Sequence, residues 1–134
     1  FQVLPGRPAV VLDVGHNPHA VKAMLAALRQ LPYAETRYAV FSMLADKDLA
    51  AVAELARGEF DHWLTAGLDM PRGQSGETIA AALRQSGLAN VESFGSVADA
   101  WSAALSRAGD NDRIVVFGSF HTVAEVMEAR RHPV

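Results

Sequence analysis

Two rhythms of hydrophobic and polar positions alternate along this chain. Continuous apolar runs within residues 10–12, 37–43, 60–66, 91–94 and 114–117 have the length and content of strands covered on both faces, as in a parallel sheet. The stretches between them place apolar residues three and four positions apart, the spacing of a helix with one buried face. Over 18–31, Val21, Met24, Leu25 and Leu28 share a face, Lys22 and Arg29 lie off it, and Pro32 is expected to stop the helix. A second helix turns Leu49, Val52, Ala53 and Ala56 inward and is closed by Gly58; a third does so with Ile79, Ala82 and Leu83 and ends at Gly87. The fourth keeps the rhythm through Val97, Ala100, Trp101, Ala104, Leu105 and Ala108, opened by a capping box of Ser96 and Asp99 and ended by Gly109. Thr122 and Glu125 make a second capping box at the last helix, and the tail from Arg130 is expected to fray.

At the start, residues 1–4 form a short strand that the turn Pro5-Gly6-Arg7-Pro8 folds back, antiparallel, beside the next. The alternation predicts an α/β fold, doubly wound, with a mainly parallel six-stranded sheet, one short antiparallel strand at the amino end and about five flanking helices. The longest irregular stretch, 67–76, contains Pro71-Arg72-Gly73. Ligands of such sheets lie beyond the carboxyl ends of the strands. That edge collects Asp13, His16 and Asn17 after the first parallel strand, Asp46 and Lys47 after the second, Arg72 after the third, and Ser119 and His121 after the fifth.

The first of these loops carries the strongest local signal. Asn17 is a capping residue and Pro18 sits where a missing N–H costs nothing, so a helix starts there with its positive end toward His16. A phosphate is the natural guest. Asp13 suits a ribose diol or, equally, braces its own loop. His16 suits a phosphate oxygen, although a lone histidine is more often a structural hydrogen-bonding group. Asn17 serves first as the cap of that loop. Lys47 lies in an ordinary charge cluster in which Asp46 or Asp48 caps the next helix. Ser119 and His121, two apart, face the same side if extended. No G-x-S-x-G elbow surrounds Ser119, so binding outranks hydrolysis. His19, His62 and His132 lack metal spacing and read as surface or core residues.

Composition narrows the field. At 134 residues the chain fits one domain, and half its residues are hydrophobic. The net charge of -3 argues against nucleic acid, the absence of cysteine removes disulfides and thiolate metal sites, and neither a membrane span nor a signal peptide is legible. Phe1 already reads as mid-structure, so an excised domain is expected. Neither G-x-x-x-x-G-K-[ST] nor G-x-G-x-x-G occurs, so a triphosphate or dinucleotide would not be cradled unaided.

The strings LDVGHNPHA, FSMLADKDLAAV, PRG and GSFHTVAEVM, in this order, closely resemble the carboxy-terminal domain of the bacterial dihydrofolate synthase/folylpolyglutamate synthase family, within the Mur ligase superfamily. The resemblance covers nearly the whole chain. It implies a Rossmann-like glutamate ligase domain over 1–134 whose amino-terminal ATPase and folate-binding domain lies outside this chain. Phe1-Gln2 resembles the tail of the family's linker motif, so Arg7 is not the linker arginine. The implied activity is ATP-dependent addition of L-glutamate to dihydropteroate and to folates through an acyl phosphate. ATP and magnesium are the implied cofactors, the metal bound mainly by the other domain.

By the same resemblance, Asp13, His16 and Asn17 form the nucleotide-binding set and Ser119 and His121 hold glutamate. Lys47 and Arg72 are candidates for the active-site edge, and the fragment alone has no catalytic or metal residues. A cytoplasmic monomer without membrane or nucleic-acid partners is expected. Gly15 stands where many relatives have Ala, a change expected to be neutral and to relax the loop. His16→Ala and Ser119→Ala are expected to lower activity of the complete enzyme with little loss of folding. Two alternatives use the same rim. A stand-alone flavodoxin-like nucleotide or phosphate-binding module lacks the adjacent aspartates its metal would need, and an NAD-dependent domain lacks the glycine fingerprint.

Overall fold

In the computed structural model, which describes residues 1–131, the chain runs β1 (Gln2–Leu4), β2 (Ala9–Leu12), α1 (Pro18–Leu28), β3 (Arg37–Phe41), α2 (Leu49–Leu55), β4 (His62–Ala66), α3 (Gly76–Gln85), β5 (Val91–Phe94), α4 (Val97–Arg107), β6 (Arg113–Phe117) and α5 (Phe120–Arg131). The strands form one sheet in the order β1-β2-β6-β3-β4-β5. β1 pairs antiparallel with β2, Val3 opposite Val11, and every other pairing is parallel. The last strand therefore enters the middle of the sheet, with Val115 level with both Val11 and Ala39. His132 lies outside the described residues.

Successive strand residues point to opposite faces, so each apolar run feeds two cores. Val11, Ala39, Phe41, Trp63, Val115 and Phe117 pack with the buried faces of α1, α2 and α3. Val10, Leu12, Tyr38, Val40, Leu64, Ile114 and Val116 pack with α4 and α5. Phe41, Trp63 and Phe117 form an aromatic cluster on the first face, with Phe41 edge-on to Trp63 at 5.5 Å and 4.9 Å from Phe117.

Several sequence expectations are corrected. α1 stops at Leu28, three residues short of Leu31: the Gln30 and Leu31 amides reach back only to Ala27 and Leu28, tightening the end into turns. Leu105 keeps the spacing of the α4 stripe but is 42% exposed. Arg130 and Arg131, expected to fray, belong to α5. That helix begins at Phe120, earlier than a Thr122 cap allows. Ser119 caps it by accepting from the Thr122 amide at 3.0 Å, and Glu125 accepts the Ala98 amide of α4 at 2.9 Å. Ser119 and His121 are therefore not in an extended segment. At Gly15 an added Cβ would come within 2.8 Å of Asp13 Oδ1 and 2.9 Å of Ala20 Cβ, so alanine there requires these neighbours to shift.

Candidate functional site

β2, β6 and β3 are neighbours, so the loops leaving their carboxyl ends meet on one rim. After β2, the Asp13 amide extends the ladder to the Val116 carbonyl at 2.9 Å. The Asp13 carboxylate then accepts the Gly15 amide at 2.7 Å, which bends the loop. Asn17 caps α1 by accepting from the Ala20 amide at 2.8 Å, with Pro18 in the first turn. His16 is left exposed between these two fixed points. Its Nδ1 lies 3.4 Å from the Val14 carbonyl oxygen.

After β6, Gly118 has φ of 115°, a region glycine tolerates, and a Cβ there would collide with the Ser42 carbonyl oxygen. This close approach locks the β6–α5 turn against the end of β3. Ser119 is buried. Thr122 Oγ1 donates to the Ser42 carbonyl at 3.2 Å, so in the 2.8 Å contact between the two hydroxyls Ser119 must be the donor. Having also accepted the Thr122 amide, Ser119 Oγ keeps one lone pair for any ligand. It can accept from an ammonium; it cannot donate to a carboxylate without releasing Thr122.

After β3, Lys47 sits half-buried in the loop ahead of α2, whose cap is Asp48, accepting from Ala51 at 3.1 Å. Two contacts brace this loop against the one after β4. The Ala45 amide donates to the Arg72 carbonyl at 2.8 Å, and the Arg72 guanidinium lies 2.6 Å from Asp46. Gln74 adds a bond to the Met43 carbonyl at 2.9 Å.

The three loops enclose a cavity of about 170 Å³ lined by His16, Leu44, Lys47, Ser119, Phe120 and His121, with Gly118 at its back. Four of the expected site residues thus converge: His16, Lys47, Ser119 and His121. Asp13, Asn17 and Arg72 stand on the same rim but do not line the cavity; Asp13 and Asn17 shape the His16 loop, and Arg72 holds the Lys47 loop through Asp46. Lys47, the least conspicuous by local pattern, is the one formal charge in the lining. α1 and α5 direct their amino ends to this rim with no acidic residue in the first turn, whereas α3 and α4 have Glu77 and Asp99 there. The cavity therefore favours an anion. Among the described residues no group of three acidic, histidine or cysteine side chains is placed to hold a metal.

Sequence reasoning missed Ser42 and Phe120, and it took Thr122 for a helix cap where its hydroxyl ties Ser119 to the Ser42 carbonyl. Ser42 Oγ is buried without a hydrogen-bond partner. A small polar residue directly after a buried strand was the available signal. Phe120, 65% exposed at the cavity mouth and edge-on to His121 at 5.9 Å, is an aromatic side chain where a surface helix start would take a polar one.

Comparison with known proteins gives these similarities. A family model described as Mur ligase, glutamate ligase domain matches residues 1–120. The dihydrofolate synthase/folylpolyglutamate synthase of Escherichia coli (strain K12) is 41% identical over 128 residues, 96% of this chain and 29% of that protein. The solved structure of E. coli FolC in complex with DHPP and ADP matches with a TM-score of 0.89 and 42% identity, over 98% of this chain and 31% of that one. A bifunctional folylpolyglutamate synthase/dihydrofolate synthase solved with Mn, AMPPNP and L-glutamate bound matches with a TM-score of 0.88 and 38% identity, over 98% and 31%. The chain thus spans less than a third of the length of these relatives.

Proposed function

Because this chain belongs to the Mur ligase family, as its glutamate ligase domain, we propose that it forms one wall of the cleft in which a longer ATP-dependent ligase joins L-glutamate to dihydropteroate and to folates. The domain occupies 1–134, and its partner is an amino-terminal domain of the same polypeptide that carries the phosphate loop, the magnesium and the pterin substrate. The enzyme works as a cytoplasmic monomer. In the reaction, a substrate carboxylate oxygen attacks the γ-phosphorus of ATP and ADP leaves. The glutamate amine then attacks the acyl carbon, phosphate leaves, and the amine gives up a proton as the amide forms. Such chemistry needs charge neutralisation and orientation more than a protein nucleophile.

His16 binds phosphate oxygens, Asp13 the nucleotide sugar, and Asn17 keeps their loop in shape. His121 takes a glutamate carboxylate, and the remaining lone pair of Ser119 takes its ammonium. Lys47, next to both groups, balances the negative charge that both substrates bring. One Asp13 oxygen is committed to the Gly15 amide and no metal-holding group of acidic side chains occurs among the described residues, so these residues do not fit a magnesium cage and no step is assigned to the metal.

The observation that carries this reading is the convergence of His16, Lys47, Ser119 and His121, from three separate loops, on one anion-favouring cavity. Steady-state kinetics of the full-length enzyme test it. His16→Ala is expected to raise KM for ATP, His121→Ala to raise KM for glutamate, and Lys47→Ala to lower kcat/KM for both by roughly a hundredfold, each with an unchanged thermal midpoint. Wild-type kinetics in all three variants would remove the assignment.

A further inference from the structure

A cavity larger than the rim cavity lies away from it. About 660 Å³ in volume, it opens between the β1–β2 turn, α4 and the end of α5, and its size is that of a small-molecule pocket. Leu4, Val10, Trp101 and Leu105 give it an apolar floor, and the exposure of Leu105 is explained by its position there. Arg7 and Arg130 line it as well, and among the described residues no acidic side chain does, in a chain whose net charge is -3.

These two arginines differ from the rest. Seven others lie within ion-pair distance of a carboxylate, and Arg113 donates to the Pro32 carbonyl. Among the described residues, Arg7 and Arg130 have neither kind of partner. Two guanidinium groups without a carboxylate partner among the described residues, beside an apolar floor, complement one class of guest, an acidic group joined to an aromatic or aliphatic body.

We propose that this groove binds a small organic anion, Arg7 and Arg130 holding its acidic group and Trp101 and Leu105 its apolar body. The site is independent of the ligase reading, since it shares no residue with the rim cavity.

Fluorescence titration of the full 134-residue chain with anilinonaphthalene sulfonate, an aromatic anion, tests the proposal. Saturable one-to-one binding is expected, weakened by salt. Arg7→Gln and Arg130→Gln each weaken it about threefold and together about tenfold, as for exposed charge pairs. The uncharged analogue phenylnaphthylamine binds the wild type and the double variant alike. Leu105→Asp, at an exposed position, abolishes binding of both dyes while the circular dichroism spectrum is unchanged. Absence of saturable binding, or sulfonate affinity indifferent to both arginines, overturns the proposal; the second outcome would mark the groove as a purely apolar surface.

Discussion

At the scale of single residues, one short chain of hydroxyls fixes the rim. Thr122 bonds to the end of β3, Ser119 bonds to Thr122, and Gly118 makes the approach of the two strands sterically feasible. Gly118→Ala forces a side chain into a left-handed backbone position against a carbonyl, and a loss of about 1–3 kcal/mol is expected in urea unfolding. Ser119→Ala removes a helix cap along with a ligand contact. About 1 kcal/mol of stability should be lost with it, measurable by the same titration, so an activity defect at little folding cost is expected of His16→Ala and no longer of Ser119→Ala. The identities of His16, Ser119 and His121 were legible because polar residues after buried strands stand out. Their hydrogen-bond roles were not, since Ser119 is spent mostly on Thr122 and Glu125 on an amide of another helix.

Between elements, loops and helix ends are tied by charged groups whose partners are far away in the chain. Glu125 accepts the Ala98 amide and so joins α5 to the start of α4. Glu125→Ala leaves that amide without its acceptor, and a loss of roughly 1–3 kcal/mol is expected, read as a lower midpoint in thermal unfolding. Asp61, just before β4, holds Arg37 at the start of β3 through the Arg37 amide at 2.7 Å and its guanidinium at 3.3 Å. Burial works to raise the Asp61 carboxyl, but these bonds and the Arg37 charge outweigh it and leave it below the ordinary 3.8. A lowered folded value means the contact adds stability that is complete above the unfolded value and is lost as pH falls through the folded one. Unfolding titrations should therefore show wild type above Asp61→Asn near neutral pH and the gap closing in acid. Equal pH profiles would contradict it. The capping residues Asn17, Asp48, Ser75 and Ser96 follow local rules. Cross-element ties such as Glu125 obey none that a local pattern contains.

For the whole molecule, the decisive fact is that β6, last in order, enters between β2 and β3. This brings the Ser119 loop between the His16 and Lys47 loops, and it leaves a rim cavity of only about 170 Å³ against about 660 Å³ in the groove on the α4 and α5 side. A small open cavity at the carboxyl rim suits one wall of a cleft completed by another domain. Calorimetry of the isolated chain should accordingly detect little or no heat with ATP, and no glutamate-dependent ADP release; substrate turnover by the chain alone would contradict the proposed division of labour. No helix among the described residues is long and apolar enough to cross a membrane. The amino-acid sequence by itself determined the alternation of strand and helix, the burial of both sheet faces and the edge on which polar residues gather, because periodicity and capping act over a few neighbouring positions. Only the tertiary structure decided which loops meet, that Lys47 joins His16 while Arg72 turns to Asp46, and that Arg7 and Arg130 come to share a groove. Strand order and side-chain partnership depend on packing between residues far apart in the chain, where no local rhythm reaches.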